Sequence, residues 1–127
     1  MDCLQQAMKI YEVCVEQAKL GNTITYREVL DRLGYGKRVQ GHSIRYGLEL
    51  AWIACAETKL PILTSIVVNL WTGEPSDGYS VTNWEKDAQE VFNHKEWPQV
   101  DDINWDYIYT NREELSDIHG TRGYWRK

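Results

Sequence analysis

The stretch Lys59-Leu60-Pro61-Ile62-Leu63-Thr64-Ser65-Ile66-Val67-Val68-Asn69 restricts the choice of fold more than any other. It is the one long apolar, β-branched run in the chain, and a turn-rich segment, Trp71–Tyr79 with Gly73, Pro75 and Gly78, follows it. A run of this kind is read as a strand buried on both faces that ends in a tight loop. The chain before it carries helical spacing, and the chain after it is acidic and rich in Trp and Tyr.

Upstream, Leu4, Met8, Tyr11, Val15 and Ala18 recur at three- and four-residue intervals, which predicts an amphipathic helix over 2–20 stopped by Gly21-Asn22. Thr25 and Glu28 have capping-box spacing and open a short second helix ending near Gly34-Tyr35-Gly36. A polar connection, Lys37 to His42, leads to a third helix over 43–58, with Ile44, Leu48, Ala51, Trp52 and Cys55 on one face. Gly47 inside that helix costs about 1 kcal/mol against alanine, so a close neighbour is expected there. Beyond the strand, Tyr79-Ser80-Val81 suits a short return strand. Thr82 and Glu85 form a further capping-box pair, opening a helix to about His94. The alternation of Ile103, Trp105 and Tyr107 suggests a last short strand or else a turn of helix, residues 111–115 a final helical turn, and 120–127 a frayed basic tail.

This order predicts an α+β fold: a small helical domain whose helix-turn-helix-like segment packs on a short β-sheet or wing. It is expected as one unit over 1–119, a helical half with the central strand (1–73) and an acidic aromatic elaboration (74–119), followed by the basic tail. Three cysteines at Cys3, Cys14 and Cys55 lack paired spacing and read as free thiols of a reducing compartment. With no span-length apolar run and no basic-then-apolar leader, the expected location is cytoplasmic and no membrane partner is expected.

Charge is distributed unevenly within a net −5. Residues 1–73 hold eight Lys/Arg and seven Asp/Glu, residues 74–119 hold three and twelve, and residues 120–127 hold three positives alone. In a helix-turn-helix the helix after the turn enters the major groove and flanking cations hold phosphates. The candidates for that role are Tyr26, Arg27, Arg32, Lys37, Arg38, His42, Ser43 and Arg45. The acidic half offers a second surface. Trp84, Trp97, Trp105 and Tyr107 interleave with Asp101, Asp102 and Asp106, as suits anchors and carboxylates facing a basic protein. His42, His94 and His119 share no ligand spacing, so neither metal nor cofactor is expected.

The segment Gly21-Asn22-Thr23-Ile24-Thr25-Tyr26-Arg27-Glu28-Val29 is similar to the G-x-V-T-Y-G-E-V-A segment of the O6-alkylguanine-DNA alkyltransferases and the alkyltransferase-like proteins. Arg45 and Gly47 stand in the following helix as an Arg and a Gly do in that family, and the resemblance spans roughly residues 8–95. The family's P-C-H-R core, which carries the alkyl-accepting thiolate, is replaced here by Ser65-Ile66-Val67. The resemblance therefore implies a winged-helix DNA-binding scaffold without alkyl transfer. The sequence reading is a non-enzymatic DNA-binding module. The alternative is a small acidic inhibitor or adaptor directed at the nucleic-acid-binding surface of a partner protein.

Overall fold

Asp2 begins the first helix by accepting the Gln5 backbone N–H while the Gln5 side chain returns to the Asp2 N–H, a reciprocal cap. The helix, α1 (Cys3–Leu20), runs to Gly21, whose φ of 76° closes it in the left-handed conformation. The computed structural model describes residues 1–75 and 83–126, the side chain of His42 excepted. In order they form α1, β1 (Ile24–Thr25), α2 (Tyr26–Arg32), a 3-10 turn (Gly41–Ile44), α3 (Arg45–Glu57), a second 3-10 turn (Leu63–Ile66) and β2 (Val67–Val68). Then come α4 (Trp84–Asn93), a third 3-10 turn (Val100–Asp102), α5 (Trp105–Thr110) and α6 (Arg112–His119). The domain is thus mostly helical with a small sheet, an α+β arrangement. No helix among the described residues is long and apolar enough to cross a membrane.

The core lies between α1 and α3. Ala7, Ile10, Val13 and Cys14 face Leu48, Ala51, Ile53 and Cys55, and Leu63, Ile66, Val91 and Ile108 close the ends. The two helices meet where α3 has no side chain. A Cβ added to Gly47 would stand 2.7 Å from Gln6 Cβ and 2.9 Å from Gln6 Oε1, so the close approach at this glycine, expected of a neighbouring backbone, is made by the base of a side chain on α1. The capping box at Thr25 is present in full, with Thr25 Oγ1 accepting the Glu28 N–H at 3.1 Å and Glu28 Oε1 accepting the Thr25 N–H at 3.2 Å.

The long strand expected over 61–69 shrinks to Val67–Val68, paired in parallel with Ile24–Thr25. Leu63–Ile66 instead winds into the second 3-10 turn, with the Ser65 N–H donating to the Ile62 carbonyl. All six residues from Leu63 to Val68 are buried, since α1, α3 and α4 pack around this segment. Burial on every side, rather than strand geometry, explains the unbroken apolar run, which periodicity alone does not distinguish. The expected return strand at 79–81 lies outside the described residues, as does Thr82. The helix that follows is capped by Asn83, whose side chain accepts the Glu85 N–H.

Of the strand and the helical turn open to Ile103, Trp105 and Tyr107, the helical alternative forms: a 3-10 turn is followed by α5. Asn104 accepts the Tyr107 N–H as an N-cap and Asp106 sits in the first turn, a start signal that outweighs three alternating residues. The final helical turn extends to a full helix, α6, ended by Gly120 at φ 62°.

Burial also fixes the ionisation of three core groups. Desolvation keeps the Cys14 thiol and the Tyr11 phenol protonated well above their ordinary ranges, and pushes the Cys55 thiol up to about 12. Tyr11 donates its hydroxyl to the Pro98 carbonyl at 2.5 Å. The unfolded chain releases these protons from about pH 9 upward while the folded chain retains them. Their contribution to stability is therefore complete below about pH 9 and is lost as the pH rises towards and beyond 12. Urea midpoints measured from about pH 8 to about pH 11 should fall steadily across the upper part of that range. At neutral pH a thiol reagent should modify the half-buried Cys3 and reach Cys14 and Cys55 only on unfolding.

Candidate functional site

The turn between α2 and α3 gathers the expected cations, and two of them are already engaged. Arg27 Nη1 donates to the carbonyls of Lys37 and Val39 at 3.2 and 3.1 Å, its Nη2 donates to the Gly36 carbonyl at 3.2 Å, and its Nε reaches Asp31. This guanidinium braces the connecting loop through its carbonyls. Arg32 pairs with Glu16 of α1 and ties α2 to that helix. The Ser43 hydroxyl donates to the Gln40 carbonyl at 2.6 Å and supports the start of α3. Lys37 and Arg38 remain exposed, and neither forms an ion pair among the described residues.

Of the remaining three candidates, the His42 side chain lies outside the described residues, and Tyr26 and Arg45 come together. The pairing of Thr25 with Val68 places Tyr26, the first residue of α2, beside the chain leaving β2 at Asn69. Arg45 is the first residue of α3. They line a cleft of about 490 Å³ with Gly41, Leu48 and Asn69, and its last two walls are Arg122 and Tyr124 of the C-terminal segment. The Arg45 guanidinium lies 5.1 Å from the Tyr46 ring centre and 5.8 Å from that of Tyr124. The Arg122 guanidinium lies 5.8 Å from the Trp52 ring centre, and its buried Nε has no acceptor among the described residues. In a chain of net charge −5, this cleft is lined, among the described residues, by two permanent cations and two phenols and by no carboxylate. Such a lining suits an anion with a planar ring beside it.

Arg122 and Tyr124 reach the cleft because the segment expected to fray is held down. The Glu49 side chain, fully buried in α3, accepts the Tyr124 backbone N–H at 2.9 Å through Oε1 and the Ser116 hydroxyl at 3.0 Å through Oε2. Arg126 donates to the carbonyls of Ser116 and Thr121 and pairs with Asp117 at 2.7 Å. The Trp125 ring packs against Tyr46 and Tyr109, with the Arg112 guanidinium 4.9 Å from its centre. The available signal was composition: a tail reading Arg-Gly-Tyr-Trp-Arg carries more aromatic surface than a solvated end needs.

The acidic half turns most of its aromatic surface inward. Trp105 is only 4% exposed and donates its indole N–H to the Val100 carbonyl at 2.8 Å, edge-on to Tyr11. It is part of the core, which corrects its expected role as a partner anchor. Trp84 is half-buried against that core, and Trp97 is half-buried with its ring 4.5 Å from His94. Tyr107 stays exposed, as do Asp101, Asp102 and Asp106. The three carboxylates border a shallow groove with Leu4, Met8 and Ile103. Among the described residues, no three His, Cys, Asp or Glu side chains are grouped as a metal site would require. Ser65-Ile66-Val67 is fully enclosed, and neither the Thr64 nor the Ser65 hydroxyl has a hydrogen-bond partner among the described residues.

Comparison with family models, curated proteins and solved structures finds no match to this chain.

Proposed function

We propose that the chain is a non-enzymatic DNA-binding module resembling a catalytically inactive alkyltransferase-like winged helix. Its contact face would be the Tyr26–Arg45 cleft together with the exposed turn at Lys37 and Arg38. The observation that carries this reading is the cleft: Tyr26 and Arg45, singled out by the sequence, share it with a second guanidinium and a second phenol. In this reading Lys37, Arg38, Arg45 and Arg122 hold phosphates, Tyr26 and Tyr124 lie against base or sugar, and Arg27, Arg32 and Ser43 shape the scaffold. The alternative of an acidic adaptor retains its exposed carboxylates but has Tyr107 as the single exposed aromatic among its proposed anchors.

The test is DNA binding by fluorescence anisotropy at about 50 and about 200 mM salt. Arg45→Glu should weaken binding by about tenfold or more at the lower salt, and Arg38→Glu by a smaller factor. Each change should also lower the slope of log affinity against log salt by about one. Failure of the unaltered chain to bind duplex, single-stranded and alkylated DNA at the lower salt would refute the reading.

A further inference from the structure

Beyond the cleft wall at Asn69, the chain turns back on itself and presents Trp71, which is 91% exposed. An indole so open to water forgoes the burial that normally accompanies this side chain. The backbone that carries it is held in place. Asn69 Oδ1 accepts the Trp71 N–H at 2.8 Å, the Gly73 N–H donates to the Asn69 carbonyl at 2.9 Å with Gly73 at φ 70°, and the Asn69 N–H donates to the Glu74 carbonyl at 2.7 Å. The Thr72 hydroxyl accepts the Glu74 N–H across the same turn. Asn69 thus serves two purposes: it walls the cleft that holds Arg45 and Arg122, and it fixes the backbone that carries the indole.

We infer that Trp71 is a stacking platform for an unpaired nucleobase, so that the preferred ligand is single-stranded DNA rather than a continuous duplex. The inference rests on the DNA-binding reading and narrows its ligand class. Two observations choose this occupant. Among the described residues the adjoining cleft is lined by two guanidinium groups and no carboxylate, which matches phosphates held in the cleft beside the turn. The exposed indole offers its faces, whereas an intact duplex presents only base edges and phosphates, its base faces being covered by neighbouring pairs. Stacking on Trp71 from a duplex would require a step to be opened first, and an unpaired strand avoids that cost.

The test compares an oligothymidylate with a blunt hairpin duplex of equal nucleotide count, both at about 50 mM salt. The unaltered chain should bind the single strand more tightly, with quenching of indole emission. Trp71→Ala should weaken single-strand binding by about tenfold or more and leave duplex binding nearly unchanged. Trp71→Phe, which keeps a stacking ring, should retain most of the affinity. The side chain is exposed, so neither change should alter the unfolding midpoint. If Trp71→Ala binds the single strand as tightly as the unaltered chain while Arg45→Glu does not, the stacking platform is refuted and the DNA-binding reading survives. An equal loss on both ligands likewise overturns the single-strand preference. If the unaltered chain binds neither ligand, the DNA-binding reading fails and this inference fails with it.

Discussion

Gly47→Ala should destabilise the fold by about 1–3 kcal/mol, although alanine is the better helix former by about 1 kcal/mol. The added methyl would stand 2.7 Å from Gln6 Cβ, 2.9 Å from Gln6 Oε1 and 3.3 Å from Ile10 Cδ1. Gln6 Cβ is fixed to the α1 backbone, so the helices must part rather than a side-chain tip swing away. The Gln6 amide also donates to the Tyr35 hydroxyl at 2.8 Å and to the Ser43 carbonyl at 3.3 Å. Separation of α1 from α3 would therefore strain the loop that leads into the cleft as well as open the core. A bulkier Gly47→Val should cost more, because branching adds to the overlap. Gly36→Ala is the control, since nothing lies within 4 Å of its added methyl. Urea denaturation of the three variants checks the order. A Gly47→Ala chain at least as stable as the original would mean that the two helices do not cross this closely.

The second large effect is expected at Glu49. Glu49→Ala removes the acceptor of both the Tyr124 N–H and the Ser116 hydroxyl, and leaves a void in α3. Hydrogen bonds to a charged group contribute about 1.5–3 kcal/mol each, and an unsatisfied buried donor costs about 1–3 kcal/mol. A loss of about 2–4 kcal/mol is expected, below the sum because the freed Tyr124 N–H can turn to water. Glu49→Gln should be much milder. Its amide oxygen can still accept from Tyr124, and its amide nitrogen can donate to Ser116 Oγ if that hydroxyl donates to Thr121 Oγ1, 2.9 Å away. Trypsin supplies an independent readout, since Arg122 and Arg126 should become cleavable in Glu49→Ala while α1 and α3 remain protected. On the proposed DNA-binding reading, affinity should fall in parallel, as Arg122 and Tyr124 leave the cleft. Equal tryptic protection of the Ala variant and the original chain would show that Glu49 does not anchor this segment.

The elements legible in the sequence were those governed by local signals. The apolar stripe of α1, the Thr25–Glu28 cap and the Ile44–Cys55 face each report a helix through neighbours three or four residues away. Residues 61–69 showed only that they are buried, because enclosure on all sides produces the same composition in a strand and in a 3-10 turn. At the cleft, Tyr26 and Arg45 were legible because they open helices beside a basic turn. Arg27 and Arg32 looked equivalent to them, and only the three-dimensional positions of the Gly36, Lys37 and Val39 carbonyls and of Glu16 distinguish a brace from a free cation. Arg122 and Tyr124 were hidden because their placement depends on a carboxylate 75 residues upstream.

That span has a consequence for how the cleft comes into being. The contact between α1 and α3 and the pairing of Ile24–Thr25 with Val67–Val68 lie within the first 68 residues, and Val91, Trp105 and Ile108 complete the core later. During vectorial synthesis this part of the chain can begin to assemble while the rest is still being made. The cleft cannot. Two of its walls arrive with residues 122 and 124, and the Glu49–Tyr124 contact closes one of the longest loops in the molecule. Acquisition of structure and acquisition of ligand affinity should therefore be separate events in time, with affinity appearing only after the C-terminal segment has docked.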